Sequence, residues 1–161
     1  MRKGRDLIGL PILEAISGQR LGEVQDLVFD PIQSSVTGLL IDKGSWLHSP
    51  KQVAVESVSE VNGDGIKVHN SNLSELEQSR QLVSSLCGKR VATAGGKVLG
   101  SIQDVVIDES CFKLTGYEIS DGFISDLVSG RAVIEQPSIV TQSNHVVVVD
   151  DQLVTIWDSH S

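Results

Sequence analysis

An all-β fold, one small barrel written twice, is what this sequence predicts, and three observations carry the prediction. The run Gly22-Glu23-Val24-Gln25-Asp26-Leu27-Val28-Phe29-Asp30 returns 78 positions later as Gly100-Ser101-Ile102-Gln103-Asp104-Val105-Val106-Ile107-Asp108, with five identities and three apolar exchanges. A recurrence this dense marks a duplicated structural unit. Apolar residues recur with a period near two, the signature of half-buried strands. Gly, Asp, Asn and Ser punctuate the chain every ~8–12 residues, the spacing of a small barrel or sandwich.

The repeat extends through both halves. On the same offset Gly18 aligns with Gly96, Gly38 with Gly116, Ile41 with Ile119 and Gly44 with Gly122. Upstream an offset of 79 pairs Leu7 and Gly9 with Leu86 and Gly88; downstream an offset of 80 pairs Val53 with Val133 and Val68 with Val148. Each copy supplies five or six short strands. In the first, Leu27 and Phe29 alternate with Asp26, Val28 and Asp30, and Leu39 with Ile41 follows after the Asp30-Pro31 turn. Segments Val53–Val55 and Ile66–Val68 come next. Ser17-Gly18, Gly95-Gly96 and Asn62-Gly63-Asp64-Gly65 are hairpin turns, since they supply residues that tolerate positive φ. One stretch reads as a helix: Asn72 or Ser74 can cap Glu75 to Val83, with Glu77 three residues after Ser74 and Leu73, Leu76, Val83 and Leu86 as an apolar stripe. The expected organisation is therefore a first barrel over 1–71, a linker helix over 72–85 and a second barrel over 86–161.

Composition narrows the function classes. With 21 acids against 13 bases the formal charge is −8, which disfavours binding to phosphate backbones through bulk charge. Arg2, Lys3 and Arg5 read as a solvated tail. Cys87 and Cys111 lack metal-ligand spacing, so reduced thiols in a cytosol are expected, with no metal and no cofactor. No apolar stretch reaches the ~20 residues of a membrane span, and the N-terminus is interrupted by Asp6, Pro11 and Glu14, unlike a secretory signal. A cytoplasmic protein is expected.

The pattern Gly9, Gly18, Leu21-Gly22, Val24, Asp26, Asp30, Gly38, with its echo Gly88, Gly96, Leu99-Gly100, Ile102, Asp104, Asp108, Gly116, resembles the PRC-barrel domain. The resemblance covers nearly the whole chain and implies two tandem strongly bent barrels that serve as interaction modules. Members include the photosynthetic reaction-centre H subunit, ribosome-maturation factors of the RimM type and stand-alone bacterial proteins, some associated with sporulation. The tandem arrangement is similar to the stand-alone group.

Candidate sites divide into scaffold and contact residues. Asp26, Asp30, Asp104 and Asp108 recur at strand-to-turn junctions without a matching His or Lys, so with Gly22 and Gly100 they read as fold residues and not as acid–base pairs. The loop Gly95 to Ser101 lacks the spacing of a phosphate-binding loop. Histidines 48, 69, 145 and 160 have no mutual spacing and read as surface residues, so catalysis has no positive support. The connection after the third strand is different. Trp46 and Leu47 in the first copy, and Phe123, Ile124, Leu127 and Val128 in the second, place bulky apolar groups where a loop should be polar. They either plug an open barrel end or form a contact patch for a partner protein or a second subunit. The sequence favours a non-enzymatic protein-binding module; the alternatives are an RNA-metabolism or ribosome-assembly factor working through protein contacts, and a small-ligand module.

Overall fold

The computed structural model describes residues 2–96 and 98–120 in full, and beyond them the backbone of four strands lying within 132–156. The elements begin with β1 (Arg2–Lys3), the single-turn helix α1 (Gly4–Leu7), β2 (Pro11–Glu14), β3 (Arg20–Glu23), β4 (Asp26–Asp30), β5 (Ser35–Asp42) and β6 (Lys51–Ala54). They continue with β7 (Val58–Asn62), β8 (Gly65–Val68), β9 (Ser74–Glu75), β10 (Gln81–Leu82), β11 (Arg90–Thr93), β12 (Val98–Asp108) and β13 (Lys113–Ile119). The last four are β14 (Ala132–Glu135), β15 (Ile139–Gln142), β16 (Val146–Val149) and β17 (Val154–Ile156). The all-β class and the doubled barrel stand.

The chain divides into two compact units, Met1–Ser84 with Asp108–Lys113, and Ser85–Ile107 with Leu114–Ser161. In the first, β2 and β3 form a hairpin while β8 runs parallel to β2 and antiparallel to β7. β4, β5 and β6 form an antiparallel meander. The second unit repeats this plan: β11 pairs antiparallel with β12 and parallel with β16, and β14 pairs with β13 and β17. Leu7, Ile12, Leu27, Phe29, Leu39, Val53 and Ile66 fill the first core; Leu86, Val91, Ile102, Val105, Ile107, Tyr117 and Ile119 fill the second.

Registers correct the alignment of the copies downstream. Gly38 faces Ala54, whereas its equivalent Gly116 faces Glu135; Ile12 faces Ile66, whereas Val91 faces Val147. The offset there is 81, so Val53 corresponds to Ile134 and Val68 to Val149. Runs of valine hide a one-residue slip from sequence comparison, although in a strand that slip exchanges the two faces.

Residues 72–85 do not form the expected helix. Ser74 and Glu75 pair with Gln52 and Lys51, and Gln81 and Leu82 pair with Phe29 and Val28. The segment is a strap on both edges of the meander, in the order β9-β6-β5-β4-β10. Its backbone groups satisfy strand edges that would otherwise stay open, and of the expected apolar stripe Val83 and Leu86 are buried while Leu73 is half exposed. A helix of this length is marginal on its own.

The strap also dictates curvature. β9 lies level with Asp42 and β10 level with Val36. In a flat sheet they would lie ~19 Å apart across the strands and ~20 Å along them. Six residue steps from Glu75 to Gln81 reach at most ~20–22 Å, and a turn bond from Arg80 N to Glu77 O (3.0 Å) shortens that reach. The sheet must therefore curl until its edges approach.

Two further expectations change. β4 is buried along its whole length instead of on alternate residues, because Arg80–Ser84 adds polar partners on one edge. The N-terminal basic residues are not a solvated tail: Arg2 pairs with Glu109 within the first unit.

Candidate interaction site

The aspartates hold backbone. Asp26, 5% exposed, accepts the N–H of its neighbour Leu27 at 2.8 Å, and also the backbone N–H and hydroxyl of Ser84. Asp104 repeats the neighbour bond, accepting Val105 N–H at 2.8 Å. Asp30 accepts Ile32 N–H and pairs with Arg80 at 2.8 Å, while Asp108 accepts the backbone and hydroxyl of Ser110. Asp30 and Asp108 lie below the ordinary carboxylate range, chiefly through the Ile32 N–H bond in one and the Ser110 hydroxyl in the other. Every bond named here fixes a turn or a strand edge.

Gly22 and Gly100 carry φ values of 156° and 151°. A Cβ at Gly22 would lie 2.6 Å from Ile41 Cγ1. The two glycines stand at twin positions, in β3 and in β12.

The loop from Asp42 to Pro50 is built differently. Asp42, the last residue of β5, accepts Gly44 N–H at 2.8 Å through one carboxylate oxygen and meets His48 Nε2 at 2.9 Å through the other. His48 Nδ1 lies 3.1 Å from Ser45 Oγ, which accepts Leu47 N–H at 3.0 Å. When Asp42 is ionised and the imidazole neutral, Nε2 carries the proton, Nδ1 accepts, and the Ser45 hydroxyl donates to it. A backbone bond from Ser45 N to His48 O (2.9 Å) closes the loop. Gly44 turns at φ 77°, and a Cβ there would meet Pro50 N at 2.7 Å. The result is a tied loop, with Trp46 and Leu47 at its tip.

Those two side chains are 91% and 72% exposed. In the first copy they do not plug the barrel. Phe123, Ile124, Leu127 and Val128 lie outside the described residues, as do His145 and His160. His48 is a surface residue, as the sequence suggests, its side chain 50% exposed. Its ties to Asp42 and Ser45 were foreshadowed only by an aspartate two residues before a glycine at a strand end, an Asx-turn pattern. Ser45 and His48 are residue types found in hydrolytic centres, but here their bonds hold loop backbone.

The Gly44 amide bond, first among the causes, holds Asp42 below its ordinary value. A depressed carboxylate contributes order in full above its unfolded value and loses it as pH falls through its folded value. Acidifying from neutral to below the carboxylate range is therefore expected to shift the Gly44 amide NMR resonance with a midpoint below the ordinary aspartate value. An Asp42→Asn chain is expected to show no such titration.

Among the described residues, no cluster of His, Cys, Asp or Glu is suited to hold a metal ion. Cys87 and Cys111 are exposed and form no disulfide, and Cys87 Sγ donates to Gln103 O at 3.5 Å; no described helix is long and apolar enough to cross a membrane.

Comparison with known proteins agrees with this architecture. The pattern of the PRC-barrel domain matches residues 1–74 and again 81–153. A relative from Bacillus subtilis (strain 168), described as uncharacterized protein YrrD, is 24% identical over 139 residues, covering 84% of this chain and 79% of its own length.

Proposed function

The chain belongs to the PRC-barrel domain family, and from that premise we propose that it is a non-catalytic protein-binding adaptor of a bacterial cytoplasm, whose contact is the Trp46–Leu47 tip. The observation that carries this reading is a tryptophan 91% exposed on a loop tied at both ends. Isolated exposed apolar residues are ordinary on protein surfaces. An adjacent Trp–Leu pair on a preorganised loop loses little conformational freedom on docking, so more of its contact energy appears as affinity. The acidic surface, formally −8, favours a basic protein over a nucleic acid.

Trp46→Ala should weaken a complex by ~2 kcal/mol or more, about 30-fold, as truncation of a tryptophan hot spot does. It should leave folding stability within ~0.5 kcal/mol, as expected for an exposed site. Affinity capture with both forms, with and without nuclease, reads this directly. Companions lost on Trp46→Ala and kept after nuclease support the proposal; companions lost only on nuclease favour the ribonucleoprotein alternative.

A further inference from the structure

We propose that the β4 edge is a strand-accepting site that takes the Arg80–Ser84 segment of a second copy of this chain as well as its own, giving a strand-exchanged dimer. The edge recognises an extended segment by its backbone, through Gln81 opposite Phe29 and Leu82 opposite Val28. It adds two carboxylates with separate demands: Asp30 takes the Arg80 guanidinium at 2.8 Å, and Asp26 takes the Ser84 amide and hydroxyl. Val83, only 5% exposed, supplies an apolar anchor between them. The acceptor thus selects the two-residue strand Gln81–Leu82 with a guanidinium before it and, on the 3-10 turn Val83–Ser85 that follows, a hydroxyl four residues from that guanidinium.

Family and fold boundaries disagree at this point. The second family match begins at residue 81, yet Gln81–Ser84 and Asp108–Lys113 belong to the first compact unit. Val36 N–H donates to Phe112 O at 2.7 Å and Lys113 lies opposite Ser35. Residues 81–153 therefore carry two pieces of the first unit with them, and both would be supplied by the second copy in an exchange. The exchanged unit makes the same bonds as the closed one, so the hinge at 76–79 and the concentration decide between them. With the natural hinge, closure within one chain has an effective concentration of order mM, which holds the protein monomeric at micromolar concentration.

Shortening the hinge removes that advantage. Deleting Gln78 and Ser79 leaves four residue steps, at most ~14 Å against ~20–22 Å for the natural six, and removes the two central residues of the Glu77–Arg80 turn, so closure within one chain becomes strained. Light scattering on the shortened chain is expected to give twice the 17.3 kDa mass of the natural chain, with an unchanged β-type circular dichroism spectrum. Reinserting a Gly-Ser-Gly-Ser hinge is expected to restore the monomer, and Arg80→Ala in the shortened chain to weaken the dimer about tenfold or more. A shortened chain that stays monomeric, unfolds or aggregates overturns the proposal. Trp46 takes no part in the exchange, so the outcome is independent of the adaptor reading.

Discussion

Gly22→Ala is expected to lower the unfolding free energy of the intact chain by about 2–4 kcal/mol. Two causes add. At φ 156° a side chain is strained whatever the space around it, a cost of ~1–3 kcal/mol. The new Cβ would also lie 2.6 Å from Cγ1 and 2.8 Å from Cδ1 of Ile41, which is buried; overpacking of this kind costs ~1–3 kcal/mol. Gly100→Ala, at φ 151°, should behave alike through the strain alone. Gly63→Ala is the contrast, since its Cβ would enter open space, and a change within ~0.5 kcal/mol is expected. Urea denaturation of the three variants measures the ranking.

Asp26→Ala is expected to cost about 3 kcal/mol. The carboxylate is 5% exposed and receives Leu27 N–H, Ser84 N–H and the Ser84 hydroxyl. Removing it leaves the buried Leu27 N–H unpaired, at ~1–3 kcal/mol, and breaks both bonds to exposed Ser84, whose donors can turn to water. Ser84→Ala removes one partner while Asp26 keeps two backbone bonds, so its cost should be nearer ~1 kcal/mol. The double variant should fall short of the sum of the two, because both changes break the same bonds. A double variant whose cost equals the sum of the two would mean that Asp26 does not anchor the strap.

Much of the fold was legible because turn chemistry and strand alternation are local. The hairpin at Asn62–Gly65 and the Asp30-Pro31 turn follow from residues that adopt those conformations with little cost. The strap was not legible. Ser74, Glu75 and Glu77 satisfy a capping pattern, and the competing demand comes from Lys51, Gln52, Val28 and Phe29, which are distant in sequence. Local propensity yields when unpaired strand edges need partners. The downstream register failed for another reason: Val133, Val147, Val148 and Val149 are interchangeable in a comparison, and only pairing with Glu118 or with β11 distinguishes them.

The candidate site was half legible. An apolar pair at Trp46–Leu47 stands out against a polar loop, but whether it turns inward depends on the loop's path. That path is fixed by Asp42, Ser45 and His48, whose bonds span two to six residues and carry no repeat signal. Ile32, 92% exposed on the β4–β5 turn, shows that exposure alone does not single out a contact. What distinguishes Trp46 is its larger apolar surface with exposed Leu47 beside it, since the Ile32 turn is also held by a side-chain bond, from Asp30.

That difference supplies the most direct measurement of the adaptor account. A photo-reactive amino acid placed at position 46, or at position 32 as a control, would be irradiated in growing bacterial cells that make the protein. The account predicts a discrete protein adduct from position 46 and none from position 32. No adduct at 46, or the same adducts from both positions, would contradict it.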